Sequence, residues 1–187
     1  MTAAIHRIPT TAPTTTTIAA GAETTSQKAT RYVLAGLRLA LGWVFLWAFI
    51  DKLFGLGFAT PAKNAWIDGG SPTKGFLGNA VSGPFEGFYH GFAGAAWADW
   101  LFMIGLAGIG IALIAGIGMR IAAVAGSVLL VAMWSAVLPP ENNPFMDDHL
   151  VYAGVLVLLA LTAAGNTLGL GKQWSRLPIV QRLPWLK

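Results

Sequence analysis

Four apolar runs, each close to the roughly 20 residues that cross a hydrocarbon core, constrain this chain more than any other feature. They cover about 32–53, 97–117, 119–138 and 149–168. A segment inside lipid must satisfy its backbone hydrogen bonds internally, so the runs read as helices. Between them the charges sort by side. Seven of the eight carboxylates lie in or beside the two loops 54–96 and 139–148. Most Lys and Arg lie near the termini and in the turn at Arg120. Cation excess marks the cytoplasmic side. The expected fold is therefore all-α: an integral membrane four-helix antiparallel bundle, multi-pass, in a bacterial-type cell membrane, with both termini cytoplasmic.

The rest of the chain divides around that bundle. Residues 1–28 are Thr- and Ala-rich with few large apolar groups, which predicts a disordered cytoplasmic tail. The transmembrane domain is expected over 29–170. A basic amphipathic cytoplasmic tail follows over 171–187, where Pro178 and Pro184 forbid one long helix. The outer loop 54–96 is too long for a bare connector. Ser71 and Pro72 read as the N-cap and first residue of a short interfacial helix. The aromatic, Gly-punctuated stretch 84–92 reads as a second segment lying at the interface. Small residues at Gly108, Ala112 and Gly116, and at Ala122 and Gly126, predict close helix approach. Such stripes also suit a homo-oligomer.

Composition removes several function classes. Charged residues are 11% of the chain, under half the roughly 25% of soluble domains. The net charge of +4 sits beside apolar spans, so the expected partner is the lipid bilayer and its anionic headgroups, with no nucleic acid. The chain has no cysteine, which excludes disulfides and iron–sulfur ligation by its own residues. Its three histidines are scattered and show no haem signature. No metal site is expected from them.

Charged and aromatic residues in or near the spans carry the functional question, because charge in lipid is expensive. On the first helix Arg38, Gly42, Phe45, Phe49 and Lys52 share one face, and Trp43, Trp47 and Asp51 share the opposite one. Arg38 reads either as a residue reaching the inner headgroups or as a buried partner within the bundle. Asp51 and Lys52 read either as an interfacial pair or as a site. His149, delivered by the rigid segment 139–148, belongs to a capped helix start or to a proton-transfer group with Tyr152.

The string Arg38-Leu39-Ala40-Leu41-Gly42, leading to Asp51-Lys52-Leu53, resembles the first helix of DoxX-type membrane proteins. The loop Trp66-Ile67-Asp68-Gly69-Gly70-Ser71-Pro72-Thr73-Lys74-Gly75-Phe76-Leu77 and the segment Val137-Leu138-Pro139-Pro140-Glu141-Asn142-Asn143-Pro144 look like the DoxX/DoxD branch. The resemblance spans about 30–170. It implies a membrane subunit of a quinone-linked redox system, like the large subunit of thiosulfate:quinone oxidoreductase, with membrane or peripheral redox partners.

On that reading the cofactor is menaquinone or ubiquinone. Arg38, Gly42, Trp43, Trp47, Phe49, Trp134 and Tyr152 are expected around it. Asp51, Lys52 and His149 are the expected proton-handling residues, and Ser71, Lys74 and His90 are expected to meet an external sulfur oxyanion. The outer side carries seven carboxylates against three lysines, which disfavours an anionic substrate such as thiosulfate and leaves a quinone unaffected. A non-catalytic membrane anchor or assembly subunit for redox partners, and a small-molecule permease, are the alternative classes.

Overall fold

The computed structural model describes residues 23–187 and is all-helical over them. Four helices form the body: α1 (Thr25–Phe54), α4 (Ala96–Ala115), α5 (Met119–Ala136) and α6 (Asp148–Leu161). Two short helices, α2 (Pro72–Asn79) and α3 (Glu86–His90), sit in the first long loop. Two more, α7 (Gly171–Trp174) and α8 (Pro178–Arg182), end the chain. α1, α4 and α5 are long and apolar enough to cross a membrane; α6 is apolar but shorter.

The four helices form the expected antiparallel bundle. Gly42 faces Leu113 and Ile114, Gly110 faces Leu46, and Lys52 lies over Phe102, so α1 and α4 run in opposite directions. Gly126 faces Leu156, and Met119 faces Gly165, so α5 and α6 do the same. Leu41, Phe45, Met103, Leu106, Ile109, Leu113, Leu130, Leu156 and Leu159 fill the centre. The outward faces are apolar as well: Trp43, Val44, Ile104, Ile111, Val124, Val128, Val157 and Leu161 are all exposed. Water would not tolerate such a belt on every helix, whereas lipid does. The charges gather at the two ends of the bundle. Arg31, Arg120 and Lys172 mark the terminal end, where the described residues begin and stop; Asp68, Glu86, Glu141 and Asp148 mark the loop end.

Local chemistry sets the boundaries. α1 begins at Thr25, inside the stretch read from sequence as disordered. The reason is a capping box: Thr24 Oγ1 accepts from Gln27 N, and Gln27 Oε1 accepts from Thr24 N. Over 1–22 the expected disorder lies outside the described residues. α1 stops at Gly55, whose φ of +63° closes a left-handed cap. The α2 start is as the sequence predicts, with Ser71 as N-cap and Pro72 first.

Two expectations are corrected. The close approach on α4 is made by Gly110, where a Cβ would stand 2.8 Å from the Leu46 backbone nitrogen; at Gly108 a Cβ would meet nothing within 4 Å. Gly108 lies two residues, about 200°, around the helix from Gly110, and so faces outward. The fourth run also stops being an α-helix at Leu161, seven residues early. Ala163 and Leu168 take positive φ, and residues 162–170 form an irregular segment. Its neighbours at the same level are Gly116, which meets Gly165 backbone to backbone, and Arg38.

The C-terminal segment is broken by its prolines, which start α8 and the final turn. It folds back on the bundle: Trp174 Nε1 donates to Leu186 O at 2.6 Å, and Arg120 N donates to Lys187 O at 2.8 Å.

Candidate functional site

Arg38 is fully buried at the terminal end. Its guanidinium donates to Leu113 O, to Ile114 O at 2.9 Å, to Thr167 O at 3.3 Å and to Leu168 O at 2.8 Å. Two of these carbonyls lie at the end of α4 and two in the irregular segment after α6. Irregular backbone at this depth survives only where protein satisfies it. Arg38 does so for both segments at once, which its planar fork of donors permits. It does not reach out to headgroups. Gly42, one turn further along, supplies close approach of α1 to α4.

Asp51 is buried at the loop end and accepts from Ala59 N at 3.0 Å and Phe58 N at 3.3 Å. It holds the turn that follows α1. Its neighbour Lys52 is engaged differently. Lys52 is half-buried, with Nζ 5.9 Å from the centre of the Phe102 ring. Among the described residues it makes no hydrogen bond, and no carboxylate oxygen lies within 4 Å. Phe49, Phe102 and Tyr152 are partly buried against the core at this end. Phe45 and Leu156 both close on Gly126. Continued along the antiparallel helices, that register sets Phe49 level with Tyr152 and Lys52 level with His149.

His149 Nδ1 lies 2.7 Å from Asp147 Oδ2 and 3.4 Å from Asp148 Oδ1. The other Asp147 oxygen accepts from Leu150 N and caps α6. Asp147 thus orients the imidazole through Nδ1. The capped helix start and the oriented histidine are one arrangement.

The remaining expected residues lie apart from this group. Trp43 and Trp47 stack with ring centres 5.7 Å apart, and Trp47 meets Phe58 edge-on at 5.2 Å. This ladder lies on the outward side of α1, about 140–180° around the helix from Lys52. Trp134 packs on Phe145 and donates Nε1 to its carbonyl at 2.8 Å, bracing the segment before α6. His90 is exposed, 3.9 Å from Glu86. Lys74 is exposed, its stem against Gly94.

At Ser71 the donors expected to meet an oxyanion already hold one. Asp99 Oδ1 accepts from Ser71 Oγ at 2.9 Å, Thr73 N at 2.9 Å and Thr73 Oγ1 at 2.6 Å. This buried carboxylate ties α2 to the first turn of α4. Sequence reasoning passed over it, although a carboxylate set within the start of an apolar run was the available signal. Tyr89 makes the matching tie from α3 to α5, its hydroxyl 2.6 Å from Ser135 Oγ and 2.9 Å from Ala132 O. The loop end is thereby a fixed lid, with Lys52, Phe102, Tyr152 and the Asp147–His149 pair at its level. No family model, curated protein or solved structure matches this chain.

Proposed function

We propose that this chain is a DoxX-like, multi-pass subunit of a quinone-linked redox system in a bacterial-type plasma membrane, with its termini on the cytoplasmic side. The observation that carries the reading is Lys52. A half-buried ammonium beside Phe102 at the loop end of α1, unpaired among the described residues, is a donor without a protein acceptor. A quinone carbonyl oxygen is a matching acceptor, and Phe49, Phe102 and Tyr152 offer aromatic surface for a ring. When bound, a quinone takes up two electrons and two protons.

This chain's own residues would position and protonate. Lys52 holds an oxygen by a charge-assisted hydrogen bond. Asp147 fixes the orientation of His149, and His149 would be the proton-handling group at the loop end. We place the electron donor on a partner protein. An oxidisable sulfur compound would meet that partner rather than the Ser71 helix start, whose donors Asp99 occupies.

A photoreactive quinone analogue tests this reading. Labels should fall near Phe49–Lys52 and His149–Tyr152 and diminish in Lys52→Met. Labelling confined to the outward Trp43–Trp47 face would refute it. A non-catalytic anchor for redox partners is the second reading. Arg38, Asp51 and Asp99 favour it, since each buried charge is bonded within the chain as a scaffold requires.

A further inference from the structure

At the terminal end a cavity of about 220 Å³ opens between the second turn of α1 and the irregular segment after α6. Arg31, Lys172, Asn166 and Thr167 give it polar walls, and Leu34 and Ala164 an apolar floor. Arg31 Nε donates to Thr167 Oγ1 at 3.3 Å, which aims the guanidinium along the wall. Lys172 and Asn166 make no side-chain hydrogen bond among the described residues. Gly171 leaves room for Asn166, since a Cβ there would stand 2.7 Å from Oδ1.

One anion is already present. Both Glu23 oxygens lie on Arg31 Nη1, at 2.7 and 2.8 Å. That carboxylate neutralises Arg31 and leaves Lys172 without a counter-charge among the described residues. The apolar surroundings are those of a lipid-facing groove. Val33 and Leu37 of α1, and Leu158 and Leu161 of α6, are exposed on either side. α1 and α6 also make less contact than the tightly packed pairs α1–α4 and α5–α6.

We propose that this cavity binds the phosphate of one anionic phospholipid, with Arg31 and Lys172 as its cations and the acyl chains lying along the α1–α6 groove. The volume is below the roughly 300–1,000 Å³ of clefts that enclose a whole small molecule, which suits a headgroup whose tails stay outside. Basic pockets between membrane helices take such headgroups. Glu23 competes with the phosphate for Arg31.

Native mass spectrometry of the detergent-solubilised full chain tests the site. The probes are phosphatidylglycerol, phosphatidylcholine and inorganic phosphate. Phosphatidylglycerol should bind at one per chain, ahead of phosphatidylcholine. Lys172→Gln, a residue with no side-chain partner to lose, should weaken it roughly fivefold, and adding Arg31→Gln should weaken it further by a similar factor. Glu23→Gln should strengthen it. Equal retention of the two lipids, or no change in Lys172→Gln, would overturn the proposal. Displacement of phosphatidylglycerol by inorganic phosphate at equal concentration would make free phosphate the ligand and overturn the lipid assignment.

Discussion

Replacing Arg38 by Leu should destabilise the terminal end of the bundle more than any other single change in α1. The magnitude follows from the carbonyls it serves. Leu113 O keeps a second partner, Gly116 N at 3.2 Å. Ile114 O, Thr167 O and Leu168 O receive their side-chain hydrogen bonds from Arg38. A buried group left without a partner costs about 1–3 kcal/mol, so three give about 3–9 kcal/mol. Two effects bring the figure down. Removing the guanidinium also removes the cost of burying its charge, and the cavity beside Thr167 admits water. A loss of about 3–5 kcal/mol is expected.

At roughly 2–4 °C per kcal/mol, that lowers the melting temperature by roughly 6–20 °C. Thermal unfolding in mild detergent, with hydrogen exchange over 162–170, is the assay. Exchange there should rise while α4 and α5 stay protected. Arg38→Lys should recover only part, because a compact ammonium cannot fork across two segments. A melting temperature within about 2 °C of wild type would show that the carbonyls need no internal donor.

Other outcomes follow from the same geometry. Gly110→Ala should cost about 1–3 kcal/mol, because its Cβ meets the Leu46 backbone. Gly108→Ala, on an open helix face, should hold or raise the melting temperature, and a loss equal to that of Gly110→Ala would refute the assigned helix face. Asp99→Ala should cost about 2 kcal/mol and expose loop 54–96 to protease, whereas Asp99→Asn, which keeps an acceptor oxygen, should lose less. Lys52→Met should leave folding intact and weaken quinone binding roughly 10- to 100-fold, the worth of one charge-assisted hydrogen bond; binding unchanged by titration would remove Lys52 from the site.

The sequence made some of this visible because the signals are local. Ser71-Pro72 announces a helix start by its own chemistry, and Asp147 before an apolar run announces another. The apolar runs locate α1, α4 and α5 to within a few residues, save for the N-terminal extension of α1. What stayed hidden depends on partners far along the chain. Gly108 and Gly110 are both plausible contact residues on α4, and only the position of Leu46 decides between them. The irregular backbone beyond the end of α6 at Leu161 is served by Arg38, which donates to Thr167 O and Leu168 O from more than a hundred residues away. Asp99 looked like one more outer carboxylate until Ser71 and Thr73 were placed around it. Thr24–Gln27 was legible as a capping box and was masked by the surrounding Thr- and Ala-rich composition.

The central claim is that Lys52 presents an unused donor to a quinone at the loop end. Its most direct test is the quinone content of gently purified protein, measured by lipid extraction and mass spectrometry on wild type and Lys52→Met side by side. Quinone should approach one per chain in wild type and fall sharply in the variant, with equal phospholipid in both. Quinone absent from wild type, or retained equally by the variant, would contradict it.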